Sequence, residues 1–173
     1  NAYAKSKVMI DEIAKANFDK IRIIGLRFFN VFGPREGFKG KPASMIYHLR
    51  NQMMKGNTTR LFKFGEQKRD HIYVKDAVDA TMIAVNAKSG IYNVGTGIAT
   101  TFNDLIKVLN IVLKKNSEPE YFDMPYDPKT YQSNTQADTT KAENVLGFKS
   151  KWALKEGIKN YFNFLDKNRW NNE

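Results

Sequence analysis

Apolar residues recur at three- and four-residue spacing from Tyr3 to about Asn17, with Val8, Ile13 and Ala16 on one face, which predicts a helix. Ile21 to Phe28 is a short, mostly apolar run rich in branched residues, as a buried parallel strand requires. The Gly- and Pro-containing stretch from Asn30 to Pro42 reads as a loop. Ala43 to about Lys55 returns to helical spacing. Phe62 to Gly65 and Ile72 to Val74 are strand candidates, and Asp76 opens a helix through about Ala87, its acid placed near the positive N-terminal end. Ile91 to Val94 predicts a strand, Thr101 to Lys114 a helix and Glu120 to Asp123 a short strand. Thr140 and Glu143 have capping-box spacing for a helix near Ala142 to Leu146, and Ala153 to Leu165 forms a last amphipathic helix. Helices and strands in alternation define an α/β sheet protein. The first element is a helix with no strand before it, and the first residues carry neither Met nor a signal-like apolar run, so the chain is expected to continue a longer polypeptide.

Composition narrows the function classes. The 173 residues contain no cysteine, which removes disulfides, thiolate nucleophiles and cysteine zinc sites and suits a reducing compartment. Two histidines, His48 and His71, are too few and too far apart to suggest a metal site. No apolar run approaches the roughly 20 residues of a membrane span. The net charge of +10 is unevenly spread: residues 1 to 80 hold 16 basic and 8 acidic side chains, whereas residues 81 to 173 hold 12 and 10. The basic residues are scattered among apolar ones, not gathered in the blocks of a nucleic-acid tail, and a phosphorylated small ligand satisfies the bias equally well.

Three places could carry chemistry. Gly95-Thr96-Gly97 follows a strand and precedes a helix, but the third glycine of a dinucleotide fingerprint would fall at Thr100, so a tight turn is the simpler reading. Tyr3 and Lys7 lie four residues apart and share a helix face, where an ammonium favours the phenolate that a general base needs. Alone, such a pair is usually a surface contact. Arg69 beside Lys68 suits a pyrophosphate, because a guanidinium fork matches phosphate oxygens in pairs, although an ion pair with Asp70 serves as well.

The order of these pieces resembles a known family. Tyr3-Ala4-Lys5-Ser6-Lys7, then Leu26 to Arg35, then Arg69-Asp70-His71-Ile72-Tyr73-Val74-Lys75-Asp76 and Tyr92 to Gly97 are similar to the extended short-chain dehydrogenase/reductases that act on nucleotide sugars. Within that family the continuation Gly33-Pro34-Arg35-Glu36-Gly37-Phe38-Lys39-Gly40 to Met45, with His48, Leu61-Phe62, Lys68 to Asp70 and Thr135 to Asp138, resembles the branch that epimerises ADP-heptose.

The resemblance implies the C-terminal part of a Rossmann-like doubly wound parallel sheet plus a smaller α/β substrate-binding lobe. Residues 1–35 would end the dinucleotide-binding domain, 36–70 form a substrate-binding segment, 71–97 return to the sheet and 98–173 complete the lobe, with the N-terminal cofactor-binding half outside this sequence. Tyr3 and Lys39 would be the two proton acceptors, Lys7 the partner of Tyr3, and Tyr3, Lys7, Val31 and Lys39 the contacts to NADP, with NAD not excluded. Asn30, Lys41, His48, Phe62, Lys63, Phe64, Gly65, Arg69 and Tyr131 would hold the ADP-heptose. The reaction implied is inversion at C6 through a transient oxidised intermediate, feeding lipopolysaccharide precursor synthesis in the cytoplasm, in a homo-oligomer, with no nucleic acid, membrane or metal engaged. A nucleotide-sugar 4-epimerase or dehydratase of the same superfamily would keep Tyr3 and Lys7 without needing Lys39. A sugar-nucleotide-binding module without catalysis is the further alternative for this stretch taken alone.

Overall fold

Two apolar clusters organise the chain, and strand β4 runs between them. The computed structural model describes residues 2–125 and 131–168. In order these form α1 (Ala2–Lys15), β1 (Ile24–Phe28), β2 (Asn30–Phe32), a 3-10 turn at Glu36–Lys39, α2 (Met45–Met54), β3 (Arg60–Phe62), β4 (Lys68–Tyr73), α3 (Val74–Ala84), β5 (Gly90–Val94), β6 (Ala99–Thr101), α4 (Phe102–Leu113), β7 (Glu120–Phe122), β8 (Asn134–Thr135), a π-helical turn at Ala142–Leu146 and α5 (Leu154–Asn168). The class is α/β: β1 pairs with β5, β2 with β4, β3 with β7 and β8 with β4, all parallel, and only the β4–β6 pair is antiparallel.

The larger cluster joins α2, α4 and α5 through Ile46, Leu49, Leu105, Leu109, Ile158 and Tyr161, and it reaches the sheet at Phe32 and Tyr73. Gly157 lets α5 come close, since a Cβ there would lie 3.0 Å from Phe32 and 3.2 Å from Tyr73. The smaller cluster packs Ile72, Tyr92 and Val94 of the strands against Ala80 of α3 and against Ala142, Leu146 and Phe148. Buried Asp76, in the first turn of α3, accepts the backbone N–H groups of Lys151 and Trp152 at 3.0 and 3.1 Å and so fixes the approach to α5.

Several elements differ from the sequence expectation, each for a local reason. The Asn30–Pro42 loop contains strand β2 and the 3-10 turn, because Phe32 is drawn into the core beside Tyr73. The expected strand Phe62 to Gly65 ends at Phe62, and β4 starts at Lys68, four residues ahead of the apolar run. β6 and β8, of three and two residues, form only by pairing with the polar first half of β4. The capping box of Thr140 and Glu143 is not formed: the Glu143 carboxylate accepts from the Thr139 hydroxyl at 2.6 Å, and Ala142–Leu146 is a single π-helical turn.

Candidate active site

Strand β4 exchanges partners halfway along. Lys68, Arg69 and Asp70 pair with β6 on one side, with Lys68 and Arg69 also joined to β8, whereas His71, Ile72 and Tyr73 pair with Asn30, Val31 and Phe32 of β2. Side chains alternate along a strand, so Arg69, His71 and Tyr73 share one face while Asp70 points the other way. Asp70 is fully buried and its carboxylate accepts from the Thr96, Gly97 and Ala137 N–H groups and from the Thr96 hydroxyl, at 2.7 to 3.1 Å. This settles two motifs. The Gly95-Thr96-Gly97 turn spends its amides on a protein carboxylate, and a Cβ at Gly95 would sit 2.7 Å from Asp70 Oδ2. Asp70 is also withdrawn from any surface ion pair with Arg69.

The opposite face opens into a cleft of about 680 Å³. Of the residues expected at the site, Tyr3, Asn30, Val31, Lys39, Phe62, Arg69 and Tyr131 line it. They come from α1, β2, the 3-10 turn, β3, β4 and the segment before β8, far apart in sequence. One end is a box of aromatic rings and guanidinium groups. Phe62 meets Phe122 edge to face at 4.9 Å and Tyr131 at 5.9 Å. The Arg60 guanidinium lies 4.6 Å from the Phe122 ring centre, and that of Arg69 lies 5.3 Å from Tyr131 and 5.9 Å from Phe102. Arg69 is oriented by donating to the carbonyls of Lys68 (2.8 Å) and Ser133 (3.3 Å). Flat rings with cations laid on them suit a base attached to phosphates: the rings stack and the guanidinium forks hold anionic oxygens.

At the other end, Tyr3 projects from α1 with Lys7 Nζ 5.2 Å from its ring centre. Lys7 borders an adjacent hollow of about 700 Å³ beside Gly25 to Phe28 of β1. The exposed Lys39 sits on a loop held by a buried carboxylate. Glu36 accepts from the Ser44 N–H at 2.7 Å, the Ser44 hydroxyl at 2.9 Å and the Gly33 N–H at 3.3 Å. Ser44 in turn caps α2 by accepting the Tyr47 N–H, so the Lys39 loop and the α2 N-terminus are tied through one side chain.

Other expected residues fall outside the lining of the cleft. Lys41 and His48 meet each other, His48 Nε2 lying 3.2 Å from the Lys41 carbonyl. Lys63 pairs with Asp123 at 3.0 Å, exposed Phe64 tilts toward the Tyr121 ring, and Gly65 packs against Asn103. Conversely, Ser44, Met45, Arg60, His71, Phe102 and Phe122 line the cleft without having been expected there. His71 is 5% exposed and both ring nitrogens lack a hydrogen-bond partner among the described residues; burial lowers its pKa to about 4, opposed by Asp70 and helped by Arg69. Its strand position, two residues from Arg69, was the available signal. Among the described residues no helix is long and apolar enough to cross a membrane.

A parallel α/β sheet thus carries a helix with Tyr3 and Lys7 beside a basic, aromatic cleft. The chain belongs to the NAD dependent epimerase/dehydratase family, which its residues 1–95 match. It is 40% identical to the ADP-L-glycero-D-manno-heptose-6-epimerase of Fusobacterium nucleatum, over 96% of this chain and 56% of that protein. The crystal structure of the Helicobacter pylori ADP-L-glycero-D-manno-heptose-6-epimerase superposes with a TM-score of 0.87 at 35% identity, covering 96% of this chain and 51% of that one. That of the Thermotoga maritima UDP-glucose 4-epimerase with UDP-glucose gives 0.85 at 30% identity, covering 95% and 53%. The chain thus spans about half the length of the relatives it matches.

Proposed function

We propose that this chain is the substrate-side part of an epimerase that inverts C6 of ADP-D-glycero-D-manno-heptose to give the L-glycero epimer, working with NADP. The carrying observation is that one cleft gathers Tyr3, Asn30, Lys39, Phe62, Arg69 and Tyr131 from separate elements, with a base-and-phosphate end and a proton-transfer end. Similarity to two ADP-heptose epimerases supports the choice of substrate.

In this reading the aromatic box takes the adenine, Arg69 and Arg60 hold the diphosphate, and the heptose lies toward Asn30. Tyr3 and Lys39 face the sugar as a general acid/base pair: one accepts the hydroxyl proton on oxidation, the other, protonated, donates a proton to the oxygen as the alcohol re-forms, and exchange with solvent resets both. Tyr3, Lys7, Val31 and Lys39 are the residues that would hold the cofactor. The donor set fits its ribose end: a phenol and an ammonium side by side on α1, above an open hollow, match a pair of ribose hydroxyls. When bound, the nicotinamide accepts a hydride and gives it back, so the reaction has no net redox change. The pyrophosphate end is not served by Gly95-Thr96-Gly97, whose amides Asp70 occupies, and the 173-residue chain alone is expected to show no turnover.

We assign 1–35 and 71–97 to the sheet layer and 36–70 and 98–173 to the substrate lobe. The pairing of β1 with β5, and separately of β3 with β7, supports this division. The role in lipopolysaccharide precursor synthesis, the cytoplasmic setting and a homo-oligomeric parent follow from the same reading.

In the intact protein, Tyr3→Phe and Lys39→Met are each expected to lower turnover by roughly 10²- to 10⁴-fold, the usual share of a general acid or base, while ADP-sugar binding is largely kept. Normal turnover in Lys39→Met would reject the second-base assignment. UDP-hexose epimerisation is the second reading, favoured by the likeness to the UDP-glucose 4-epimerase.

A further inference from the structure

Among the described residues that line the cleft, His71 alone has buried side-chain polar atoms without a hydrogen-bond partner. Leaving a buried donor or acceptor unpaired costs stability, so such groups in native proteins are satisfied by water or ligand, or serve a function. His71 lines the cleft directly beside Asn30, its register partner on β2, and two residues along β4 from Arg69. Both nitrogens lack a hydrogen-bond partner among the described residues, and the ring is wedged edge-on to Phe32 with centroids 6.5 Å apart. The torsion about its Cβ–Cγ bond is intrinsically broad, so presenting a nitrogen to a ligand requires the ring to turn within this packing.

We propose that His71 is a specificity-determining residue that hydrogen-bonds a hydroxyl of the sugar portion of the ligand. This rests on the reading of the cleft as a nucleotide-sugar site. The chemistry selects a hydroxyl over a phosphate. Burial keeps the ring neutral, so it carries one N–H donor and one lone pair. A hydroxyl likewise donates and accepts, whereas phosphate oxygens only accept and are already matched by the cations of Arg60 and Arg69. The position agrees, since His71 lies between the arginine that faces the diphosphate end and the asparagine at the sugar end.

The test compares His71→Phe, which keeps a flat ring without polar atoms, with His71→Gln, which restores a donor and an acceptor, both in the intact protein. Calorimetric binding of ADP-heptose is set against that of ADP alone. The expected result is that His71→Phe weakens ADP-heptose about tenfold and leaves ADP unchanged, that His71→Gln recovers part of the loss, and that His71→Phe melts a few degrees higher without ligand because two unpaired buried nitrogens are gone. Equal losses for both ligands, no loss for either, no recovery with Gln, or a lower melting temperature in His71→Phe would overturn the proposal. A wild-type protein that binds ADP-heptose no better than ADP would instead reject the ADP-heptose reading, and the same Phe and Gln comparison with UDP-glucose against UDP then decides the role of His71.

Discussion

At the scale of single residues, burial and hydrogen bonding divide neighbours into different roles. Asp70 and His71 are adjacent on β4, yet among the described residues one carboxylate accepts from four donors and one imidazole has no hydrogen-bond partner. The difference follows from strand alternation: Asp70 faces the Thr96 turn and Ala137, and His71 faces the cleft. The lowered pKa of His71 has a consequence for stability. The unfolded chain takes up a proton near pH 6.5 and the folded one only near pH 4, so between these values the unfolded state binds more protons and stability falls as pH falls. The contribution is complete above pH 6.5 and is lost by about pH 4, worth roughly 3 kcal/mol from a shift of this size. Asp70 and Arg69 are the charged groups acting on the ring. Urea unfolding between pH 4 and 7 is expected to show this slope in the wild type and a shallower one in His71→Phe; equal slopes would contradict a buried neutral histidine.

At the scale of elements, apolar periodicity was a sufficient guide wherever an element buries its own stripe. α2, α4 and β5 lie within a residue or two of expectation, since Leu49, Leu105 and Leu109, or Ile91 and Val94, are buried, whereas α1 matches as closely although none of its residues is buried. β6 and β8 were not legible because their stability comes from pairing with β4, whose first half, Lys68-Arg69-Asp70, is polar and reads as loop. The same holds for the site. Tyr3, Asn30, Lys39, Arg69 and Tyr131 follow from family likeness, but Arg60, Phe102 and Phe122 belong to no motif in the sequence and join the cleft only through the fold. The carboxylate of Glu36 likewise joins elements that sequence leaves separate. Glu36→Ala frees three donors, two of them on the residue that caps α2, and is expected to cost roughly 3 kcal/mol. Hydrogen exchange would check this, with faster exchange predicted from residue 33 to the first turn of α2 and unchanged protection in α4. Uniform loosening across the chain would point to global destabilisation and reject a local tie.

At the scale of the whole molecule, the charge bias acquires a location. Of the basic residues in positions 1 to 80, Lys39, Arg60 and Arg69 line one cleft and Lys7 borders the adjacent hollow beside Tyr3. The cleft opens on the face of β4 that carries Arg69 and His71, at the point where the strand exchanges partners. In the proposed reading this groove takes ADP-heptose. Its most direct test is the turnover of purified intact protein on ADP-D-glycero-D-manno-heptose and on UDP-glucose under the same conditions, with inversion followed by NMR of the sugar protons. Inversion at C6 of the ADP-heptose is expected, with little or no reaction at C4 of the UDP-hexose; preferential epimerisation of UDP-glucose, with ADP-heptose untouched, would overturn the ADP-heptose reading.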